Sequence, residues 1–463
     1  MNPEEQIKSK SDFDNINSSY ILQKIFDFLK KNKFLKIIKP NKEIQKRLNI
    51  NINNYKEFSE LYTPIEIELT PAKDIYDKFI NIPEEKKEYY HIYFNDSNEE
   101  IKRYDLKQDE KVEKIKIIID YQIKSFDGLF SKRNCISKIN FKKFYRTNVT
   151  SMAYMFSDCS SLTDINLSNI ITINTTNISE MFVGCSKLKK LNLSSFVANN
   201  VTTLAGMFYD CTSLEELDLS NFNTENVEIT GCMFYNCTSL KKINLSSFNT
   251  NKVKIMDVMF YKCKSLEELD LSNFNTKNIT DMAYLFSHCS SLRKLNISNF
   301  DTNKVEKMQG MFNFCKSLEE LNISHFNTKN VKDMSFMFSD CESLKELNVS
   351  NFNTSKVTKM ERMFNGCKLL NELNVSNFNT KNVIEMTGMF SYCLSLKELD
   401  LSNFNTSNVK CMMSMFVGCR SLKELNISNF DTKNVNNMGS MFGDCSKELK
   451  NKIKLQNKNI EVD

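Results

Sequence analysis

The chain has 463 residues, of which 41% are hydrophobic and 26% are charged, and its formal net charge is +5. At about 150 residues per domain, this length allows roughly three ordinary domains or one long repeat array. A weak charge spread over this length gives no indication of the concentrated basic surface that nucleic-acid binding needs, so no nucleic-acid partner is expected. With only three histidines and ten glycines, the composition also argues against histidine-based catalysis and phosphate-binding loops.

Residues 1–18 are polar, and we predict a disordered N-terminus there. The segment has no apolar core of a signal peptide, and the chain has no apolar run of about 18 residues that would cross a membrane. Fifteen cysteines are too few at this length for a disulfide scaffold. These features favour a reducing, cytoplasmic location, with the cell surface as the alternative.

Residues 19–58 are predicted to be a helical segment. Apolar residues form one helical stripe from Ile21 to Leu29 and a second from Phe34 to Ile38; Pro40 ends the pattern, and Ile44 and Leu48 begin a third short helix. The string from Ser19 to Leu29 resembles the first helix of an F-box, which would recruit a component of a ubiquitin-ligase scaffold. The alternative is a small helical bundle that packs on the neighbouring module.

Residues 59–127 are predicted to be a small β-rich module. Apolar and polar residues alternate in three runs, 65–69, 90–94 and 112–119, which is typical of strands with one buried face. Residues 128–146 are predicted to be a degenerate repeat that caps the array. Its altered spacing indicates this, because Cys135 precedes Cys159 by 24 residues, whereas later cysteines are 26 apart.

Residues 147–446 contain twelve repeats of 26 residues, without insertions. Their cysteines define a column: Cys159, Cys185, Cys211, Cys237, Cys263, Cys289, Cys315, Cys341, Cys367, Cys393, Cys419 and Cys445. Phenylalanine always lies three residues before this cysteine, and leucine lies three residues after it in all repeats except the last. A fixed period of this kind indicates stacked units that bury a shared core.

Each repeat is predicted to hold a short helix, a strand and a turn. In the repeat of Cys341, the apolar spacing from Val331 to Cys341 favours one face of a helix, which Asn330 and Asp333 are placed to cap. Alternation around Leu347 and Val349 then indicates a strand. Coils that stack at the strand spacing of about 4.8 Å would form a parallel sheet, concave because helices are wider than strands.

The segment Leu-x-x-Leu-x-Leu, for example Leu266, Leu269 and Leu271, resembles the leucine-rich repeat. The full unit, Met-Phe-x-x-Cys-x-Ser-Leu-x-x-Leu-x-Leu-Ser-Asn-Phe-Asn-Thr, resembles the BspA-like leucine-rich repeat subfamily. The column usually held by Asn is Phe here, which would replace a buried asparagine ladder with an aromatic spine (Phe222, Phe248 and Phe274). The resemblance implies an α/β fold, a right-handed solenoid used for protein binding, and in many relatives adhesion at the cell surface.

The cysteine and methionine columns are the strongest candidates for chemistry. One cysteine per coil gives a line of thiols, whereas a zinc site needs ligands that converge on one point. Stacked cysteines would fall within disulfide range, but we expect free, buried thiols and a methionine column that belongs to the core. No catalytic motif is present. We therefore expect no enzyme activity, no cofactor and no metal site.

The outward strand positions are the predicted partner-binding residues. Five residues after the cysteine, charge alternates in the first half of the array, and the position is acidic in the five repeats from Cys315 to Cys419. A polar residue lies two positions further on. The candidate residues are Glu320, Asn322, Glu346, Asn348, Glu372, Asn374, Glu398, Asp400, Glu424 and Asn426.

We expect these residues to bind a basic or polar protein partner on the concave face. The chain would then be a non-enzymatic interaction scaffold, and an adaptor if the segment 19–58 recruits a second partner. The alternative is a cell-surface adhesion protein. Residues 447–463 lose the leucine columns and are predicted to be a C-terminal cap and tail.

Overall fold

The computed structural model describes residues 16, 18–28, 41–49, 63–120, 122–460 and 462. Most of the predicted disordered N-terminus and the predicted stripe from Phe34 to Ile38 lie outside these residues. The helices are α1 (Ser19–Phe28), α2 (Lys42–Arg47) and α3 (Lys447–Gln456), with a 3-10 helix at Glu84–Tyr89. The strands are β1 (Ile65–Pro71), β2 (Tyr90–Phe94), β3 (Ile115–Ile119), β4 (Ile136–Lys143), β5 (Asp164–Asn166), β6 (Glu216–Asp218), β7 (Lys242–Asn244), β8 (Glu268–Asp270), β9 (Lys294–Asn296), β10 (Glu398–Asp400) and β11 (Glu424–Asn426).

The two N-terminal helices follow from the local sequence. Helix α1 contains most of the first predicted stripe, and its Leu22 is fully buried. Helix α2 starts after Asn41, whose side-chain oxygen accepts hydrogen bonds from the backbone N–H groups of Glu43 and Ile44. This contact satisfies two of the donors that a helix start leaves free.

The β-rich module joins the repeats through one sheet. Its strand order is β2-β3-β1-β4-β5, and the first three pairings are antiparallel. Strand β4 pairs antiparallel with β1 on one side and parallel with β5, the first strand of the repeats, on the other. Strand β4, which lies in the segment 128–146 predicted as the cap, therefore covers the edge of the repeat sheet that would otherwise present unpaired backbone groups, and it joins that sheet to the β-rich module.

The repeats form the predicted leucine-rich-repeat solenoid, which is confirmed. Strands of consecutive coils pair in parallel and in register, with Leu217 opposite Ile243 and Leu399 opposite Leu425. The 26-residue period places equivalent residues above one another. The phenylalanines three residues before the cysteines, from Phe156 to Phe442, form a buried stack with ring centroids 5.4 to 5.9 Å apart, and Phe130 of the segment before the repeats extends it at 5.8 Å.

The segment before each cysteine is a series of turns, and the predicted helix there is wrong. In the coil of Cys315, the backbone N–H groups of Gly310, Phe312 and Phe314 donate to carbonyls of the next coil at 2.8 to 2.9 Å. The intervening N–H groups donate three residues back along the chain, as Cys315 does to Phe312. Residues five before and one before the cysteine have positive φ angles, for example Tyr284 and His288.

These left-handed residues explain the difference. Each one rotates the peptide plane, so that every second N–H points toward the neighbouring coil, whereas all N–H groups of an α-helix point along its own axis. Bonding between coils therefore replaces bonding within a helix. Neither predicted cap residue caps a helix, since Asn330 Nδ2 donates to the Asn303 carbonyl oxygen at 2.8 Å and Asp333 accepts from the Ser335 N–H at 2.9 Å.

Polar side chains form two further ladders between coils. Thr328 is buried, and its hydroxyl donates to the Asn353 carbonyl oxygen at 3.0 Å and accepts from the Asn353 N–H at 2.8 Å. Asn377 Nδ2 donates to the carbonyl oxygens of Val349 and Phe352 at 3.0 and 2.7 Å. An asparagine column at exposed positions therefore runs beside the stacked phenylalanine spine.

Helix α3 covers the last coil. Its buried Leu449 and Ile453 extend the core, and the Ser446 hydroxyl caps its first turn. The Gln456 side chain donates to the Leu425 carbonyl oxygen at 2.9 Å and accepts from the Ile427 N–H at 3.3 Å. One amide side chain thus takes the hydrogen-bonding place of a further strand.

Replacing Gly310 with alanine is expected to lower the free energy of unfolding by about 1–3 kcal/mol more than the same change at Gly388. Both glycines have a φ of +59°. A Cβ at Gly310 would lie 2.3 Å from ring carbons of Tyr284, whereas the nearest atoms at Gly388 are side-chain atoms of Ser391 and Arg362 at 3.1 and 3.2 Å. Urea unfolding of both variants measures the difference, and equal losses would contradict it.

Candidate functional site: the strand face

The side of the coils on which the short strands lie, called the strand face here, carries every predicted partner-binding residue. Four of the ten lie in β10 and β11, and the other six occupy the same repeat positions in the coils of Cys315, Cys341 and Cys367, where the described structure has no regular strand. In each short strand the middle residue points into the core and its two neighbours are exposed, as in Glu398–Asp400. All ten predicted residues are exposed. Register pairing sets Glu398 beside Glu424 and Asp400 beside Asn426, so the predicted columns do lie side by side.

The polar column has a conformational role that sequence reasoning missed. The side-chain oxygen of each residue accepts a hydrogen bond from the backbone N–H of the serine two positions later, as in Asn348 with Ser350 at 3.0 Å. The same bond forms at Asn322, Asn374, Asp400 and Asn426. These oxygens turn the chain out of the strand, so any partner contact at the four asparagines falls mainly to their amide N–H groups.

The acidic column is largely without counter-ions. Among the described residues, no Lys, Arg or His nitrogen lies within 4.0 Å of a carboxylate oxygen of Glu320, Glu346, Glu372 or Glu398, whereas Glu424 contacts Lys452 of α3 at 2.7 Å. Like charges on adjacent strands repel one another. A cationic partner would relieve this repulsion, which is the physical basis for a binding role.

Shallow clefts lie along this column. One, of about 450 Å³, is lined by Glu320, Asn322, Glu346 and Asn348, and another, of about 580 Å³, is lined by residues that include Glu372 and Glu398. Leucines form part of the floor of both clefts, for example Leu321 and Leu373. Such clefts suit protruding side chains of a protein better than a buried small molecule.

The cysteine column lies in the core behind this face. Cys341 Sγ donates to the carbonyl oxygen of Phe312 in the preceding coil at 3.2 Å, and equivalent contacts recur along the column. Burial raises the pKa of each thiol in the buried part of the column, to about 12 at Cys159, Cys211 and Cys289. A neutral thiol is a poor nucleophile and a poor metal ligand. Within the described residues no cluster of three or more His, Cys, Asp or Glu side chains is placed to hold a metal ion.

A row of half-buried aromatic rings on the turn side was missed in the sequence. Tyr209, Tyr235 and Tyr261 stack with centroids 4.4 and 4.8 Å apart, and the row continues from His288 to Phe314 at 4.5 Å. The signal was available, because aromatic residues recur one or two positions before the cysteine in consecutive repeats. These contacts stabilise neighbouring coils by about 0.5–1.5 kcal/mol per pair.

No helix in the described part of the chain has the combination of length and apolar composition required to span a bilayer. Comparison with protein families gives a match to the model described as "Mycoplasma protein of unknown function, DUF285", over residues 97–216, 150–269, 256–348 and 340–455. No curated protein matches the chain.

Solved structures similar to this chain include leucine-rich repeat proteins. A leucine-rich repeat protein from Bacteroides ovatus is 19% identical, with 76% of this chain and 88% of that chain covered and a TM-score of 0.44. A leucine rich cell surface protein from Faecalibacterium prausnitzii is 16% identical, with 75% and 87% covered and a TM-score of 0.41. A third, from Eubacterium ventriosum, is 19% identical, with 68% and 84% covered and a TM-score of 0.38.

Proposed function

This chain belongs to the DUF285 family of proteins of unknown function, and from that premise we propose that it is a non-enzymatic scaffold that binds a basic protein partner on its strand face. The observation that carries the proposal is the acidic column, in which four consecutive glutamates lack a cation within 4.0 Å among the described residues. The surface extends over several coils whose register is fixed, and this supports recognition of a macromolecule.

A partner would complete this electrostatic arrangement. Its lysines or arginines would lie between carboxylates on adjacent coils, and the exposed amide groups of Asn348 and Asn374 would donate hydrogen bonds beside them. Lys345 and Lys397 lie on the same face and would exclude partners that present unbroken positive charge. We therefore propose a partner in which basic and polar residues are interspersed.

Changing Glu346, Glu372 and Glu398 together to glutamine is expected to weaken capture of this partner by about tenfold or more, because three uncompensated charges are lost while side-chain size is kept. Affinity capture followed by mass spectrometry identifies the partner, and titration of the purified pair measures the change.

The matched control is the triple variant Glu85→Gln, Glu225→Gln and Glu306→Gln, which removes the same charge from exposed positions outside the strand columns. Unaltered capture by the folded Glu346, Glu372 and Glu398 variant, or an equal loss in the control, would place binding elsewhere.

The N-terminal segment is proposed to make the scaffold an adaptor. Helices α1 and α2 lie within it, and the resemblance of Ser19–Leu29 to an F-box helix motivates a ubiquitin-ligase scaffold component as the second partner. Capture with the full chain and with a chain that lacks residues 1–58 tests this proposal, which fails if both recover the same proteins.

A cell-surface adhesion role is the competing proposal, since adhesion is common among BspA-like relatives. We favour the cytoplasm because eleven buried column thiols are free, donate to backbone carbonyls and are suited to a reducing compartment. Surface labelling of intact cells that express the full chain distinguishes the two, and labelling of the chain would support adhesion.

A further inference from the structure

The first half of the strand face carries charge in alternating pairs. In repeats 2 to 7, the residues four and five after the column cysteine have the same sign within a coil, and the sign reverses in the next coil. These charge rungs, numbered 2 to 7 by repeat, are Lys189 and Lys190, Glu215 and Glu216, Lys241 and Lys242, Glu267 and Glu268, Arg293 and Lys294, and Glu319 and Glu320.

Pairing within the chain accounts for only part of this pattern. All rung residues are exposed except the half-buried Glu215. Between rungs, one ion pair lies within 4.0 Å in the described structure, Glu268 with Lys294 at 2.7 Å, and Glu319 pairs outside the set with Lys345 at 3.5 Å. The other nine charges have no such contact and face solvent.

The period of the alternation restricts the partner. The sign repeats every two coils, about 9.6 Å at a spacing of about 4.8 Å per coil. Positive and negative potentials that alternate at this short period cancel within roughly the length of one charged side chain from the surface. Only a surface that lies in direct contact, and that has the same coil spacing, can therefore match the pattern. A second copy of this chain has that spacing.

A two-fold rotation makes the pattern complementary to itself. If the axis passes between rungs 4 and 5, rung 4 faces rung 5 of the other copy, rung 3 faces rung 6, and rung 2 faces rung 7. Each of these pairings joins opposite signs, because six alternating rungs reverse their signs when their order is reversed. We propose that two copies of this chain associate face to face and antiparallel through rungs 2 to 7.

The size of the surface sets the strength of this association. Six coils extend over about 29 Å, so the interface belongs to the smaller class, below about 1,200 Å² in total. Its contacts are exposed ion pairs, which are individually weak. The dimer should therefore be reversible, dependent on concentration, and dissociated at about 1 M salt, where the Debye length is about 3 Å.

This inference does not depend on the partner proposed above. Glu320 belongs both to rung 7 and to the acidic column, and the same rotation sets Glu346 opposite Asp164 of the other copy, so the two associations share part of the strand face and are measured separately. Self-association should not be weakened by the variant Glu346→Gln, Glu372→Gln and Glu398→Gln, and partner capture by the monomer should be unaltered by changes in rungs 4 and 5.

Two charge-reversal variants test the rotation. The first is Lys241→Glu with Lys242→Glu in rung 4, and the second is Glu267→Lys with Glu268→Lys in rung 5. Each variant alone places like charges opposite one another twice per dimer, so its dimer dissociation constant should rise at least about tenfold. Mixed together, the two variants place opposite charges at both positions, and a heterodimer of wild-type affinity should form.

Sedimentation velocity of the full chain at low and high salt provides the readout, with one variant fluorescently labelled in the mixture and circular dichroism as the folding control. A wild-type chain that stays monomeric over a hundredfold range of concentration, single variants that associate like wild type, or a mixture that fails to associate would each overturn the proposal. If a variant fails to fold, Glu215→Lys with Glu216→Lys and Arg293→Glu with Lys294→Glu repeat the test at rungs 3 and 6.

Discussion

Replacing Phe338 with alanine is expected to lower the free energy of unfolding by about 3–5 kcal/mol and to split unfolding into two transitions. The Phe338 ring is fully buried and lies 5.7 Å from both Phe312 and Phe364 in the stack, and 6.4 Å from Phe352 of the spine. Coils of a solenoid interact mainly with their neighbours, so a defect in the middle uncouples the two halves.

The matched change is Phe442→Ala at the end of the stack, where the described structure shows one stacked neighbour, Phe416 at 5.4 Å. We expect a smaller loss there and no second transition, because the remaining coils stay continuous. Calorimetry and urea unfolding measure both. A single transition with a loss below about 1 kcal/mol for Phe338→Ala would contradict the role of the stack.

The repeats are also expected to lose stability steeply above about pH 9. Burial raises the pKa of all eleven buried column thiols, to about 12 at Cys159, Cys211 and Cys289. The unfolded chain releases these protons near its ordinary thiol pKa of about 8.5, whereas the folded chain retains them. Stability from this source is therefore unaltered below that pH and falls above it, because the unfolded state then binds fewer protons.

Each thiol that unfolds contributes a slope of about 1.4 kcal/mol per pH unit. Chemical unfolding at several pH values between 7 and 10.5 gives the slope for the wild-type chain. A variant with serine at Cys289, Cys315, Cys341 and Cys367 retains a donor for the phenylalanine carbonyls but lacks four titrating thiols, and its slope should be smaller. Equal slopes in the two proteins would disprove the contribution of the thiols.

The solenoid could be predicted because the same pattern of residues recurs in every repeat. One cysteine every 26 residues, with Phe and Leu at fixed offsets, determines the stacking, the parallel sheet and the inward side of each strand. The strands of the β-rich module were predictable for a related reason, since the alternation around Ile65, Ile92 and Ile117 shows which face is buried.

The turn segments could not be predicted from the apolar spacing. Their positions satisfy a helix and a series of three-residue turns equally well, and the choice depends on hydrogen bonds to the next coil. The left-handed positions carry residues as different as Tyr284, Val258 and Gly310, so no residue type marks them. The burial of Arg146 could not be predicted either. Its side chain is fully buried and donates to the carbonyl oxygens of Asp120 and Ile123, which are distant in sequence.

Part of the site could be predicted as well. Alternation in the strands is enough to place Glu346 and Asn348 outside the core, and counting from the cysteine aligns them with their neighbours. The roles within the columns needed coordinates, because Asn348 accepts a bond from Ser350 and Glu424 pairs with Lys452 of a helix whose docking the sequence does not reveal.

The alternating rungs have a consequence for how such an array can change length in evolution. Unequal recombination between any two coils removes or adds whole coils and leaves every backbone ladder intact. Within rungs 2 to 7, however, loss of a single coil places two rungs of the same sign next to each other, whereas loss of two restores the alternation. Related genes should therefore differ in this half of the array by multiples of 52 residues, two 26-residue repeats, more often than by 26.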